Sequence, residues 1–411
     1  MPLGLYISVP FCRTKCSYCN FASDVFSKSA YENYVARLIE DIANSRQLAS
    51  RVGCTLGSAP DDTVDSIYLG GGTPSILEVS QLLRIFAAVP HEFVVVPDAE
   101  ITVECAPGTL TPALIETLLQ CGVNRVSLGV QSFVNHEAQS VGRLHKRSTV
   151  LEEIDRLRQA GLENINIDLI AGLPHQTAES WAFSVSEAIA IGVPHVSVYM
   201  LEVDDDSRLG RELIAGGARY HAHFVPDDDK TAEFYQEACD RLTAAGIAQY
   251  EISNFARGAQ QSRHNLKYWT RQPYLGFGVD AHSMLDARED ALGNKAVRFS
   301  TPDAIDAYMN RAPHNVTPVS AQAAIEESFF LGLRLNRGID LESLRREFGR
   351  AALAAWESAI QQGIQDGLLE QEGATLRLTP RGRLLSNEVF ARFLIEETEE
   401  TKVGTGHVNP R

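Results

Sequence analysis

Between Leu5 and Leu201 the chain alternates two patterns of hydrophobic and polar positions. Short β-rich runs occur at Leu5–Val9, Ser66–Leu69, Glu100–Cys105, Arg125–Gly129, Asn164–Ile170 and His195–Leu201. Stretches of helical period separate them, at about Ala30–Leu48, Glu78–Ala88, Pro112–Cys121, Thr149–Gly161 and Ala178–Gly192. The β-rich runs read as apolar on both faces, which predicts a parallel sheet covered by helices. Six such repeats in about 200 residues predict a (β/α) barrel or a doubly wound sheet. The count falls short of the eight units of a closed barrel.

Beyond Leu201 the pattern changes. Acidic residues at Glu202, Asp204–Asp206 and Asp227–Asp229 bracket a polar stretch that reads as a loop-rich insertion. A helix is expected at about Thr231–Ala245, a strand at Gln249–Phe255 and irregular structure from Gly258 to Ser300. From Ala321 on, helical faces at Ile325–Leu333, Leu341–Phe348 and Leu353–Gln362 precede a candidate hairpin at Leu368–Glu370 and Thr375–Leu378. A last helix follows at Pro380–Phe393. The α/β chain expected therefore has a β/α unit over 1–230, its extension over 231–315 and a mainly helical, winged-helix-like domain over 316–395. A frayed tail over 396–411 completes the chain.

Composition narrows the class. The 411 residues are 44% hydrophobic and 22% charged, enough to bury a sizeable core, so global disorder is excluded. The net charge of −16 argues against nucleic acid as the main partner, because phosphate binding needs a basic surface. No apolar run approaches the roughly 20 residues of a membrane span. Met1–Phe11 lacks a cationic leader and reads as a strand, not a signal peptide. The expected compartment is the reducing cytoplasm, with peripheral attachment at a membrane left open.

Seven cysteines in that compartment do not suggest disulfides. Cys54, Cys105, Cys121 and Cys239 read as small buried hydrophobes. Cys12, Cys16 and Cys19 fall within eight residues, in the polar setting Lys15-Cys16-Ser17-Tyr18-Cys19. Three thiolates on one loop suit an iron–sulfur cube with one iron left open. A structural zinc ion would need a fourth ligand, and no nearby Cys or His pair supplies it.

This spacing resembles that of the radical S-adenosylmethionine (SAM) superfamily. There, three cysteines hold a [4Fe–4S] cluster whose open iron binds the amino and carboxylate groups of SAM. The likeness continues in Gly70-Gly71-Gly72-Thr73-Pro74-Ser75, the family's glycine-rich segment. Glu104, Gln131 and Asp168 follow, each at the end of a predicted strand, with Arg143 and His145 in Gly-Arg-Leu-His. (β/α) barrels build their sites at those strand ends. Carboxylates there suit an amino group and ribose hydroxyls, and Arg143 suits a carboxylate. The resemblance implies that Tyr6, Tyr18, Gly72 and Glu104 belong to the SAM site. It implies SAM contacts at Thr73, Pro74, Gln131, Arg143 and Asp168 as well.

Tyr6, Tyr-Cys-Asn-Phe, Gly-Val-Gln-Ser-Phe and Tyr250-Glu-Ile-Ser-Asn-Phe-Ala256 resemble the oxygen-independent coproporphyrinogen III oxidase group. That likeness runs from about residue 4 to about residue 390 and implies a partial (β/α)6 barrel with a C-terminal helical domain. Two features depart from the oxidases. Their fourth cysteine, two positions after the third, is Phe21 here, and only eleven residues precede Cys12 where they carry a longer arm. Asp280 stands where the group usually shows Gly. In turn, His264-Asn265-Leu266-Lys267-Tyr268-Trp269 is similar to the His-Asn-x-x-Tyr-Trp motif of the sister family, the HemW-type haem chaperones. An imidazole is a common haem ligand, Tyr268 and Trp269 offer flat faces, and Lys267 and Arg263 suit propionates. A histidine beside aromatics is also a common packed residue. Both readings of His264 stand at this stage.

The resemblance implies a haem chaperone on a [4Fe–4S]/SAM scaffold, with His264 as the haem contact. Its partners would be haem and acceptor haemoproteins, membrane-bound respiratory enzymes among them, and a homodimer is left open. The alternatives are an enzyme, coproporphyrinogen III oxidase, and a zinc-stabilised interaction module. Replacing Cys12, Cys16 and Cys19 together by Ser should abolish iron and acid-labile sulfide in the anaerobically reconstituted chain. A Cys121→Ser variant should retain both. One zinc per chain and no iron in the parent would favour the interaction module.

Overall fold

A computed structural model describes residues 1–54, 56, 62–287 and 293–395. It contains two compact units, Met1–Ser320 and Ala321–Arg411.

The first unit begins with the six expected strands. They are β1 (Leu3–Val9), β2 (Thr63–Gly71), β3 (Val94–Cys105), β4 (Arg125–Gln131), β5 (Ile165–Ala171) and β6 (His195–Met200). Each lies parallel to the next. Helices separate them: α1 (Lys28–Ala43), α2 (Ser45–Arg51), α3 (Val79–Glu92), α4 (Pro112–Gln120), α5 (Asn135–Ser140), α6 (Arg147–Gln159) and α7 (Ala178–Ile191). Capping fixes several helix starts. Thr111 caps α4 ahead of Pro112, and Thr177 with Ser180 forms a capping box on α7.

The strands are not apolar on both faces, and the expectation from the sequence is corrected here. Val126, Leu128 and Val130 alternate in β4 with Arg125, Ser127 and Gly129. Ile165, Ile167 and Leu169 alternate in β5 with Asn166 and Asp168. The apolar sets are almost fully buried, as are Arg125, Ser127 and Asn166, while Gly129 and Asp168 are half-buried. One face packs under the helices, and the other lines the barrel lumen. Buried polar groups are costly unless they are paired, and these pair with one another. His195 Nδ1 lies 2.6 Å from Asn166 Oδ1, and its Nε2 lies 2.9 Å from the Tyr250 hydroxyl. Asn166 Nδ2 donates to Ser127 Oγ, Asp168 Oδ1 and Ser197 Oγ.

The stretch from Glu202 to Asp229 is more regular than expected. It holds α8 (Arg208–Ala215) and a 3₁₀ turn at Ala222–Phe224. Helix α9 (Asp228–Ala244) is capped by Asp227. The expected single strand is a pair, β7 (Ala248–Gln249) and β8 (Asn254–Ala256).

Gly258–Ser300 is not irregular. It forms α10 (Arg263–Trp269), β9 (Tyr274–Phe277), β10 (His282–Asp286) and β11 (Ala296–Ser300), followed by β12 (Asn315–Val319). Strands of four or five residues carry too little periodicity to be read locally; their partners define them. β9 extends the sheet from β1 in parallel, and β10–β12 continue it antiparallel. At the other edge β8 pairs with β6. The 231–315 stretch therefore shares one sheet with the first six strands. Asp280 adopts a φ of 53°, a conformation that favours Gly and that Asp tolerates.

In the second unit, helices Ala321–Gly332, Leu341–Phe348 and Glu357–Gln365 accompany a small sheet. Its strands are β13 (Ile339–Asp340), β14 (Leu369–Glu372) and β15 (Thr375–Leu378), in the order β13-β15-β14. Phe329 and Phe393 stack at 4.5 Å, and Trp356 Nε1 donates to the Phe393 carbonyl. The expected tail over 396–411 lies outside the described residues. Among those residues no helix is long and apolar enough to cross a membrane.

Tyr34 ties α1 to the strands. Its hydroxyl donates to the Ser8 carbonyl at 2.7 Å and accepts from the Val279 amide at 2.9 Å, fully buried. Tyr34→Phe leaves both partners unpaired, so the loss should be about 1–3 kcal/mol. A lowered urea midpoint checks this, and an unchanged midpoint counts against it.

Candidate functional site

The cysteine loop follows β1 and is anchored at both ends by backbone hydrogen bonds, with side chains such as Thr14 and Arg208 adding to them. The Cys12 amide donates to Asp24 O, and the Asp24 amide donates back to Pro10 O, both at 3.0 Å. The glycine segment closes on the same strand end. The amides of Gly72 and Thr73 donate to Val9 O and Phe11 O, both at 2.8 Å. A Cβ on Gly72 would sit 2.8–2.9 Å from Val9, Pro10 and Phe11 backbone atoms, so this approach requires glycine. Further along, Ser17 N donates to Val141 O, Leu209 N to Ser17 O and Thr14 Oγ1 to Gly142 O. Arg143 Nη1 reaches Cys16 Sγ at 3.7 Å, while its Nη2 donates to the Gly129 carbonyl.

All three thiols line one cavity of about 330 Å³, shared with Tyr18, Gly72, Thr73, Glu104, Gln131, Arg143 and Asp168. This volume is within the usual range for a small-ligand site. Burial pushes the Cys12 and Cys19 thiols up from their ordinary range. Glu104 accepts from the Tyr68 hydroxyl at 2.8 Å and from the Gly71 amide at 3.2 Å. Burial first, with the Asp168 charge adding to it, pushes the Glu104 carboxyl up to about 7. Burial also raises Asp168, against the hydrogen bonds it accepts from Ser197, Asn166 and Ser127. Gln131 adopts a left-handed φ of 68°, and its Oε1 is buried without a hydrogen-bond partner among the described residues.

Two residues named from the sequence lie outside this cavity. Pro74 is buried at the start of a 3₁₀ turn. Tyr6 lies deeper in the lumen, 6.2 Å from the Tyr68 ring and 6.4 Å from the His264 ring.

His264 lies near the opposite end of the strands. Helix α10 plugs the barrel where β1, β2 and β3 begin. Glu100 accepts from the free amides of Arg263 and His264, each at 3.1 Å. The helix crosses so close to Gly4 that a Cβ there would meet Lys267 Cδ at 2.7 Å. His264 is 1% exposed, with Nδ1 3.0 Å from Ser66 Oγ and Nε2 2.8 Å from the Tyr268 hydroxyl. Burial, with Lys267 and Arg125 beside it, lowers this imidazole to about 3. Neither ring nitrogen faces open space. Lys267 is buried and pairs with Asp65 at 2.7 Å, so it is not free for a propionate, while the half-exposed Arg263 pairs with Asp98 at 3.3 Å.

Sequence reasoning missed some cavity residues. Ser127, Tyr199, Met200 and Leu201 also line the cavity, and Tyr199 is 41% exposed. Their signal was position at or near β4 and β6. Phe21, where the oxidases have a cysteine, lines the same cavity and is 63% exposed.

Fold and site together define a radical SAM protein. The Radical SAM superfamily description matches residues 6–188, and that of the HemN C-terminal domain matches residues 319–385. The solved coproporphyrinogen III oxidase HemN of Escherichia coli superposes with a TM-score of 0.80 at 22% identity, covering 95% of this chain and 90% of that one. The haem chaperone HemW of Bacillus subtilis is 32% identical over 392 residues, 95% of this chain and 99% of that protein. The HemW of Escherichia coli is 33% identical over 401 residues, 96% and 99% of the two chains. This chain belongs to the HemW family of haem chaperones.

That family implies a [4Fe–4S] cluster and SAM, and the residues present fit both. A single metal ion needs its ligands converging on one point about 2 Å away. Among the described residues no three His, Cys, Asp or Glu side chains do so. A cube spreads its thiolates over three irons and tolerates wider spacing. The unpaired Gln131 Oε1 in the cavity wall awaits a donor from a ligand.

An unfolded glutamate titrates near 4.3. Between that value and about 7 the folded chain therefore binds the extra proton at Glu104. Stability contributed by this group falls as pH rises through that window. Glu104→Gln should flatten the decline in melting midpoint between about pH 5 and 8. Parallel profiles for the two proteins would refute the assignment.

Proposed function

We propose that this protein binds haem and hands it to an acceptor haemoprotein in the cytoplasm, on a scaffold that holds a [4Fe–4S] cluster and SAM. One observation carries the reading: likeness to haem chaperones of the HemW family extends over 99% of the length of two of them. The cysteine loop supports it, because Phe21 replaces the extra thiol that marks the oxidases.

Cys12, Cys16 and Cys19 would hold the cluster. Gly72, Thr73, Glu104, Gln131, Arg143 and Asp168 would surround SAM, all lining the one cavity. A reduced cluster here supplies one electron to its ligand. Arg143 contributes a fixed positive charge 3.7 Å from Cys16 Sγ. Glu104 and Asp168 are buried carboxyls placed to accept from amino or hydroxyl groups. Tyr18 packs against Val141, Ile170 and Leu173, closing one wall to water.

A second reading, SAM-dependent oxidative decarboxylation of coproporphyrinogen III, is favoured by the completeness of this cavity. One experiment separates the two. Ferric protoporphyrin IX is titrated into the reconstituted chain, and coproporphyrinogen III is incubated anaerobically with the same protein, SAM and reductant. Stoichiometric haem binding with no protoporphyrinogen formed is the expected outcome. Protoporphyrinogen without haem binding would replace the chaperone reading with the enzymatic one.

A further inference from the structure

Four histidines gather on the loops at the C-terminal ends of the strands, on the same side of the barrel as the cavity. His136 begins α5, His175 follows β5, and His221 and His223 flank the start of the 3₁₀ turn Ala222–Phe224. The rings of His136 and His175 lie 4.6 Å apart. Those of His175 and Phe224 lie 4.0 Å apart, and those of His223 and Phe224 lie 4.1 Å apart. The His175 amide donates to the Phe224 carbonyl at 3.0 Å, which ties the two loops together. Leu173, two residues before His175, packs against Tyr18 of the cysteine loop. The quartet is thus continuous with the cavity wall. His136, His223 and Phe224 are exposed, and the Phe224 ring is 47% accessible.

The geometry within the pair His175–His221 is specific. His175 Nε2 lies 3.1 Å from His221 Nδ1. His175 and His221 hold left-handed backbone, with φ of 69° and 62°. That conformation is unfavourable for a side chain bearing a Cβ, and it is retained where surrounding structure or function demands it. Burial and the three neighbouring imidazoles lower the titration of His175. A neutral His175 accepts this hydrogen bond through Nε2 when His221 carries its proton on Nδ1. In that tautomer the lone pair of His221 sits on Nε2, which has no protein partner among the described residues. Imidazole ligands of metals are oriented in this way, with one nitrogen held by a neighbour and the other presented outward.

A bare metal ion is a poor match. Among the described residues no three His, Cys, Asp or Glu side chains converge on one point. Haem iron has different needs. Four of its positions are filled by the porphyrin, so a single protein nitrogen suffices. Exposed flat rings beside that nitrogen then cover the macrocycle. We propose that His221 Nε2 is the axial ligand of bound haem, oriented by His175, with Phe224 and His223 packing on the porphyrin face. The inference rests on the haem-binding reading above. It moves the ligand from the buried His264 to the barrel mouth.

The test is a haem titration of the cluster-loaded chain, recorded as difference spectra against the same protein without haem. His221→Gly is the first variant, because glycine accepts the left-handed backbone without strain. It should weaken haem binding about tenfold or more and lose the imidazole-ligated spectrum, and added free imidazole should restore that spectrum. His175→Gln should weaken binding while keeping a histidine-type spectrum. His264→Gln should retain wild-type affinity and spectrum. Loss in His264→Gln, or a His221→Gly variant matching wild type, would overturn the inference and leave haem binding standing. Loss in His221→Gly that imidazole does not restore would overturn it as well. Failure of the wild type to bind haem would instead overturn the functional reading itself.

Discussion

A loop that presents three thiols to one small space cannot hold itself in place. Its side chains are committed to the ligand, and its thiolates repel one another when ionised. The structure solves this with the backbone. Amides of the glycine segment donate to the carbonyls at the end of β1, and Val141 and Leu209 bond to the loop from the opposite side. Gly72 is the residue on which the arrangement turns, since any Cβ there would strike three backbone neighbours. The remaining site residues occupy strand ends already in register with this anchor.

The barrel lumen imposes a second constraint. A partial barrel lined by Glu104, Asp168, Arg125, His195 and Asn166 must satisfy every one of these groups without bulk water. It does so for Asp168, His195, Asn166 and Glu104 by hydrogen bonds to one another or to neighbours, and by closing the far end, while Arg125 Nε keeps no hydrogen-bond partner among the described residues. Helix α10 forms the stopper, with Glu100 accepting two of its free amides and Lys267 paired to Asp65. The His-Asn-x-x-Tyr-Trp segment thus holds the barrel at one end, while the cavity opens at the other. Tyr6 and Tyr68 lie between them and pass contact from His264 to Glu104.

Imidazole environment separates the two groups of histidines. His195 and His264 are buried, hydrogen-bonded at both nitrogens and pushed below their ordinary range by burial. They serve the lumen network. His136, His175, His221 and His223 gather around the exposed Phe224 ring, and His136 and His223 are themselves exposed. Residue type alone does not distinguish the groups; accessibility of a lone pair does.

Much was legible in the sequence. Three cysteines within eight residues state their own chemistry, because no packing argument needs that density. Gly70–Gly72, Glu104, Gln131, Arg143 and Asp168 were singled out by the family resemblance, and local periodicity put all but Arg143 at or near strand ends. The strands' second face was misread because burial and polarity differ, and only the closed lumen shows that buried positions here are polar. The strands within Gly258–Ser300 were missed because four-residue strands exist only through their partners. His264 looked available because its neighbours in sequence are aromatic. The fold set its neighbours in space, Ser66, Tyr68 and Glu100, which close off both nitrogens. The sequence by itself determined the three-cysteine spacing and the order of the barrel elements, since both depend on residues close together in the chain. Tertiary structure alone decided which histidines are closed off and which stay accessible, because that depends on contacts among residues far apart in sequence.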